Sequence, residues 1–238
     1  VEYYFSELLS RLEVRRSIDP SSREERRKVE VPLEIGHAIR GKQGAVRDYS
    51  VSLYPGENLL FAGTMNEDES TMSLSDKVLD RATVLRFGRP AEVMHVQPDM
   101  ASIVESSPLS LGNWKSWLEE TRVQGEIQEA IVKLGEVMSK AQAPFGHRVT
   151  HGMNRYVALY PVKDLQGQRH ALVDQIEQKI LPKLRGRDLS AIQGSLLQLT
   201  SLVSELKDED LVRAIEVGRN DTEGTFMWAG LDRGDSGK

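Results

Sequence analysis

Residues 58–89 read NLLFAGTMNEDESTMSLSDKVLDRATVLRFGR, and this stretch decides which fold the sequence predicts. The run Leu59–Gly63 is continuously apolar, which is typical of a strand buried on both faces of a parallel sheet. A polar and acidic cluster follows it, with Asn66 near its start. Because ligands in open α/β sheets bind beyond the carboxyl ends of the strands, Asn66 occupies the position where chemistry is expected.

The sequence on either side of this run predicts short helices and strands. Leu74–Leu79 predicts a short helix and Ala82–Phe87 a second apolar strand, with Arg81 at their junction. On the N-terminal side, Val29–Ile35 alternates apolar and polar residues, and Tyr49–Tyr54 repeats the alternation. Two alternating runs joined by a Gly- and Lys-containing connection indicate a β-hairpin.

The first residues of the chain predict a helix followed by a loop. Val1–Glu13 places apolar side chains at helical spacing, so we expect one buried face. Arg15–Lys28 is polar and basic and contains Pro20, which predicts an exposed loop. Its acidic residues dilute the charge, so we favour a solvated linker, with nucleic-acid or nucleotide contact as the alternative.

The second half of the chain predicts amphipathic helices, whose apolar stripes are most economically the core of a helical unit. A docking groove for a partner helix is the alternative. The stripes are Ile127, Ile131, Leu134 and Met138; Leu172, Ile176, Ile180 and Leu184; and Leu189, Ile192, Leu196, Leu199, Val203 and Leu206. Trp114 and Trp117 lie before these helices, where we favour packing against them over stacking on a nucleic-acid base.

Composition excludes several classes of protein. The chain has 238 residues, a net charge of −5 and no cysteine, so it has neither a disulfide framework nor a thiolate metal site. No apolar run reaches the roughly 18 residues that a membrane span needs, and we expect a cytoplasmic protein without membrane contact. Because the chain opens on Val1 inside a predicted helix, and its first methionine is Met65, we expect a fragment of a longer polypeptide.

Four motifs in sequence order resemble the second half of an AAA+ ATPase module of the MoxR and McrB-like branch. They are NLLFAGTMN (58–66), LDRA (79–82), FGHRVTHGMNRYVALY (145–160) and QKILPKLRG (178–186). The first helix is similar to the one that follows the Walker B motif of that family, and GTFMWAG (224–230) is weakly similar to its terminal motif. The likeness runs in order from Val1 to Gly230.

The resemblance implies a fold and a division into domains. The expected fold class is α/β followed by all-α, namely the C-terminal half of the large α/β subdomain of an AAA+ module and then its helical lid. The partial α/β subdomain would span residues 1–90, a connecting insertion 91–122, and the lid 123–230. The polar, glycine-rich residues 231–238 predict a disordered tail.

The same resemblance assigns functional residues. Asn66 matches the sensor-1 asparagine and Arg81 the arginine finger, and both would be catalytic. Arg148 matches the nucleotide-binding sensor-2 arginine of the lid. Glu69 lies just past Asn66, where a carboxylate can orient water, although the acidic pattern there differs from that of the family. Each assignment has a structural alternative: a salt bridge with the neighbouring Asp80 for Arg81, a turn at a strand end for Asn66, and a surface charge for Arg148.

Two motifs that AAA+ enzymes need are absent from this sequence. It holds no G-x-x-x-x-G-K-[ST] loop and no apolar strand ending in an Asp-Glu pair, and GKQG at Gly41–Gly44 lacks the rest of such a loop. The resemblance therefore implies that ATP or GTP with Mg²⁺ is bound by parts outside this chain, which alone would not hydrolyse nucleotide. His147 and His151 have metal-ligand spacing without a third ligand, so we expect no metal site.

The resemblance also implies partners. The parent protein would be a homo-oligomer, a hexameric ring, with a nuclease or other effector partner and with DNA as a candidate substrate of a restriction or defence system. The alternative function is a nucleotide-independent scaffold or adaptor derived from an AAA+ module.

Overall fold

The computed structural model describes residues 2–35, 49–56, 58–64, 75–86, 108–220 and 224–231. The chain divides into two compact units, unit 1 (Val1–Ala82) and unit 2 (Thr83–Lys238). The predicted boundary at residue 90 and the tail 232–238 lie outside the described residues. Leu231, predicted to begin the tail, packs against the core of unit 2.

Unit 1 contains a helix, a hairpin and short helical segments. Its elements are α1 (Glu2–Val14), a 3₁₀ turn (Arg15–Ser17), α2 (Arg23–Arg27), β1 (Val31–Ile35), β2 (Tyr49–Leu53) and α3 (Asp76–Arg81). The predicted first helix and the predicted hairpin are confirmed: β1 and β2 pair antiparallel, with Val31 opposite Leu53 and Ile35 opposite Tyr49. The segment predicted as a loop carries the 3₁₀ turn and α2, whose N-terminus is capped by Ser22, which accepts a hydrogen bond from Glu25 N at 3.3 Å.

The packing of unit 1 joins α1 to α3. Val78 and Leu79 of α3 are buried, and so is Val29, which precedes β1. The helix predicted over Leu74–Leu79 is present from Asp76 onwards.

The two apolar strands that flank the predicted site are not formed, and both predictions are wrong. Residues 58–64 lie outside any helix or strand, and Leu60 is 76% exposed. Residues 82–86 are likewise irregular, with Leu85 59% exposed. A strand needs a neighbour to satisfy its backbone groups. In the described part of unit 1, β1 and β2 pair with each other and no further strand is available to these runs.

The regular secondary structure in the described residues of unit 2 is helical, apart from one isolated β-bridge. Its elements are α4 (Leu111–Trp117), α5 (Gly125–Lys140), α6 (His147–Leu159), α7 (Leu165–Gln175), a π-helical turn (Ile176–Ile180), α8 (Leu181–Leu184), α9 (Leu189–Glu205) and α10 (Glu209–Arg219). The three predicted apolar stripes lie in the core of this unit, Leu189 only partly buried. Aspartates cap the starts of α7, α9 and α10: Asp164, Asp188 and Asp208 each accept a hydrogen bond from a backbone N–H one turn into the helix.

The segment 165–184, comprising α7, the π turn and α8, is buried on nearly every side. Of its residues only Gln166 and His170 are exposed. Proline inside a helix lacks an N–H and clashes with the carbonyl four residues earlier, which makes Pro182 a problem for a continuous helix. The π turn solves it, because the N–H of Leu181 bonds to the carbonyl of Ile176 and the helix restarts with Pro182 in its first turn.

The segment Gly224–Leu231, which we call the C-terminal strap, packs back onto the helices. Thr225 forms an antiparallel bridge with Asp188, and Phe226 exchanges backbone hydrogen bonds of 2.8 Å with Gly186 and Arg187. The strap places Phe226 and Trp228, 0% and 2% exposed, in the core of unit 2. The C-terminal strap is therefore part of the folded core of unit 2.

We predict that Gly167→Ala destabilises unit 2, because a Cβ there would lie 2.1 Å from the carbonyl oxygen of Val162. Overpacking against backbone of this kind costs roughly 1–3 kcal/mol in the free energy of unfolding. Gly194→Ala is the matched control: it also lies within a helix, nothing stands within 4 Å of its Cβ, and alanine is the better helix former. Urea unfolding monitored by circular dichroism measures both; equal stability of the two variants would contradict the prediction.

We also predict that Trp228→Ala lowers the free energy of unfolding by about 3–5 kcal/mol, the usual cost of emptying a large aromatic site in a core. Trp117→Ala is the control, since Trp117 is 59% exposed and its removal leaves the core intact. The two variants are compared by urea unfolding. A loss from Trp228→Ala no greater than that from Trp117→Ala would show that the strap is not part of the folded core.

Candidate functional site

Arg81, the predicted finger, is the last residue of α3 and is held by a carboxylate of α1. Its Nε donates a hydrogen bond of 3.3 Å to Oε2 of Glu13, and the two side chains are 18% and 38% exposed. The structural alternative for Arg81 was an ion pair with its neighbour Asp80. The ion pair that the structure shows instead joins residues 68 positions apart in the sequence.

The other two predicted catalytic residues, Asn66 and Glu69, lie outside the described residues. The structure ends its description of this segment at Thr64 and resumes at Ser75. The residues before Asn66, from Leu59 to Thr64, are exposed. Whether Asn66 and Glu69 approach Arg81 therefore stays a prediction.

Arg148, the predicted sensor-2 arginine, is the second residue of α6 in unit 2. Its side chain is exposed, and α6 begins without a side-chain cap at Gly146. Arg81 and Arg148 thus belong to different units, one partly buried in an ion pair and the other on a helix surface. An exposed arginine on the first turn of a helix can reach an anion that approaches that end of the unit.

Among the described residues, the two histidines of α6 do not belong to a group of side chains that could bind a metal ion. His147 and His151 are both exposed on α6. Within the described ranges there is no group of three or more His, Asp or Glu side chains that could hold a metal ion.

A depression of about 410 Å³ lies at the C-terminal end of α6 in unit 2. It is lined by Tyr156, Leu159, Tyr160, Pro161, Val162 and Asp174. The hydroxyl of Tyr156 donates a 3.0 Å hydrogen bond to Oδ2 of Asp174, and the rings of Tyr156 and Tyr160 lie 5.9 Å apart. Burial raises the pKa of the Tyr156 hydroxyl above its usual value, and the negative charge and hydrogen bond of Asp174 raise it further.

Two contacts of the structure, Tyr156–Asp174 and Arg81–Glu13, have weak signals in the sequence. Tyr156 and Tyr160, four residues apart and followed by Pro161, mark an aromatic pair at a helix end. Glu13 lies between Arg11 and Arg15 in the run RLEVR, where alternating charges at a helix end suggest polar contacts with several neighbours. Neither signal names a partner, because both partners, Asp174 and Arg81, come from distant sequence.

The packing predicted for the two tryptophans is wrong in part. Trp114 and Trp117 contact each other edge-on, with ring centroids 6.1 Å apart. Helix α4, which carries them, has no buried residue, and Trp117 is 59% exposed. Trp114 is partly buried, so of the two tryptophans it is Trp117 that does not pack into a core.

None of the helices in the described part of the chain combines the length and the apolar character needed to cross a lipid bilayer. The hydrophobic helices of unit 2 instead bury their apolar faces against each other.

One family model matches the chain. It is described as "Domain of unknown function (DUF8727)" and covers residues 101–222, which is just over half of the sequence. The match includes every helix from α4 to α10 and stops before the C-terminal strap. No curated protein and no solved structure matches the chain.

We predict that the Tyr156–Asp174 pair makes the stability of unit 2 fall at high pH. The raised pKa of Tyr156 means that the fold favours the protonated hydroxyl, so this stabilisation is complete below pH about 10 and is lost as the pH rises further. Tyr156→Phe should cost about 1 kcal/mol at pH 7 and flatten the decline above pH 10. Asp174→Asn should also flatten it. Urea unfolding at pH 7 and pH 10.5 measures both; an unchanged decline in Tyr156→Phe would contradict the prediction.

Proposed function

Because the chain belongs to the family described as Domain of unknown function (DUF8727), a description that carries no activity, we propose its function from its own residues. The chain forms the C-terminal portion of an AAA+ nucleoside-triphosphatase motor of the McrB-like branch. It supplies sensor 1, an arginine finger and a helical lid to nucleotide hydrolysis within a cytoplasmic, hexameric homo-oligomer. A nuclease partner and DNA as the substrate follow from the resemblance alone.

The observation that carries this proposal is the placement of Arg81. It is the last residue of the short helix α3, and a carboxylate holds its guanidinium rather than leaving it to move in solvent. Hydrolysis of a phosphoanhydride is catalysed by positioned cations, because negative charge develops on the phosphoryl oxygens in the transition state. An arginine that is oriented before the substrate arrives is suited to that role.

The other residues contribute in simpler ways. The side-chain amide of Asn66 can hold the attacking water or a γ-phosphate oxygen, and the carboxylate of Glu69 can orient that water. Arg148, exposed on the first turn of α6, can contact the phosphates when the lid approaches them. A helical unit of several packed helices, such as unit 2, is a suitable carrier for such a lid arginine.

The residues present do not fit a complete nucleotide site. The sequence has no phosphate-binding loop, and within the described residues no carboxylate cluster is available for Mg²⁺. ATP or GTP and its metal must therefore be bound by another polypeptide segment. We expect residues 1–238 alone to be inactive as a nucleotidase.

A second candidate function is a nucleotide-independent scaffold. The exposed apolar residues Leu59, Leu60 and Phe61 favour it, because exposed apolar side chains suit a protein that associates with other proteins.

We predict that Arg81→Ala lowers the kcat of nucleotide hydrolysis by roughly 10³-fold and leaves nucleotide affinity unchanged. The measurement uses the full reading frame that contains residues 1–238. The control is Arg213→Ala, which removes an exposed arginine of α10 that pairs with Asp210. Mixing Arg81→Ala subunits with subunits that lack a working phosphate loop should restore part of the activity, since a finger acts on a neighbouring subunit's site.

Retention of full turnover by Arg81→Ala would refute the finger assignment. Absence of any hydrolysis in the full reading frame, together with a monomeric state in sedimentation, would refute the motor and favour the scaffold.

A further inference from the structure

Residues Arg11–Arg15, which we call the α1 end, connect several parts of unit 1. Arg11 bonds to the carbonyl oxygen of Glu30, just before β1, and pairs with Glu7. The Nη1 of Arg15 donates to the carbonyl oxygens of Pro55 and Gly56, at 3.2 and 2.7 Å. The α1 end is therefore tied to the residue before β1 and to the residues that follow β2.

Glu13 lies between these two arginines and is the residue of the α1 end that reaches α3. Its Oε2 accepts the hydrogen bond from Arg81 Nε at 3.3 Å. Because Arg11 and Arg15 anchor the backbone on either side, Glu13 projects from a fixed base. A group can orient another only when it is itself held in place.

The geometry of the contact determines what it can do. A guanidinium is planar, so holding its Nε by a carboxylate restricts the direction in which the remaining N–H groups point. Arg81 is 18% exposed, so water screens this contact less than it would a surface ion pair. Val78 and Leu79 of the same helix are buried, which keeps the helix that carries Arg81 in place.

We propose that Glu13 is the positioning residue for Arg81, so that the guanidinium is preformed for a phosphate bound by a neighbouring subunit. This inference rests on the function proposed above. In chemical terms, the Glu13 carboxylate does not contact the nucleotide but fixes the plane of the Arg81 guanidinium. Misplacement of a catalytic group by about 1 Å costs up to roughly 100-fold in rate, so the loss of this carboxylate should be visible in kcat.

The test is a double-mutant cycle in the full reading frame, with MgATP and MgGTP as the nucleotides. Glu13→Gln keeps the shape of the side chain and removes its charge, and we expect kcat to fall roughly 10- to 100-fold with KM unchanged. Arg81→Ala should lower kcat further. The double variant should have the same kcat as Arg81→Ala alone, since Glu13 then has no catalytic group to position.

The matched control is Glu126→Gln in α5, which likewise removes a carboxylate that pairs with an arginine, Arg169, and takes no part in holding the α1 end. It should leave kcat within about twofold of the wild type. Thermal unfolding of each variant, followed by circular dichroism, separates a loss of positioning from a loss of fold. Glu13→Asp keeps the charge on a shorter side chain, and its kcat should lie between that of the wild type and that of Glu13→Gln.

Each outcome decides a different claim. If Arg81→Ala abolishes turnover and Glu13→Gln changes nothing, the positioning role is overturned and the proposed function stands. A rise in kcat for Glu13→Gln would also overturn it, because the carboxylate would then be a restraint on Arg81. Additive losses in the double variant would mean that Glu13 acts elsewhere. If the wild type has no nucleotidase activity, the proposed function fails and this inference with it.

Discussion

Burial of the segment 165–184 on nearly every side is the constraint on which unit 2 depends. A helix with one apolar stripe needs one neighbour, but a helix with so few exposed residues needs neighbours all around it. The apolar faces of α5, α6 and α9 meet that need, and together with the strap they enclose a single core. This segment also buries three glutamines and a lysine, Gln168, Gln175, Gln178 and Lys183. The side chain of Gln168 bonds to backbone groups of Arg122 and Gln124, just before α5, and Gln175 donates a hydrogen bond to Gln178.

Much of this fold could be predicted because its signals are local. The stripes of α5 and α9 follow helical spacing over three or more turns, and the alternation of β1 and β2 specifies a hairpin. Leu59–Gly63 shows the limit of the same reasoning. A continuous apolar run predicts a buried strand only if a neighbouring strand exists to bond its backbone, and neighbours cannot be inferred from the run itself. The π turn also escaped prediction, since Pro182 alone indicates a break without saying how the helix adapts to it.

The candidate site was predictable only in part, for a related reason. The sequence pattern placed Arg81 at the junction of a short helix and a strand; in the structure it is the last residue of the helix, and no strand follows over residues 82–86. Its partner was not predictable, because Glu13 lies in a different helix and nothing in the run RLEVR indicates which cation it meets. Helix α1 therefore contributes more to the candidate site than its own sequence suggested, although it holds none of the residues assigned by resemblance. The hydrogen bond in the depression beside Tyr156 was unpredictable for the same reason, since it joins Tyr156 of α6 to Asp174 of α7.

The C-terminal strap sets the order in which unit 2 can mature during synthesis. Translation releases α4 to α10 from the ribosome before Phe226 and Trp228, so the growing chain holds a core from which two of the largest buried side chains are still missing. Gly230, with φ of +94° and packed against Arg86, then closes a loop that spans almost the whole unit. Contacts between such distant residues form slowly. The helices of unit 2 therefore complete their core only after the strap at the end of the unit has been synthesised.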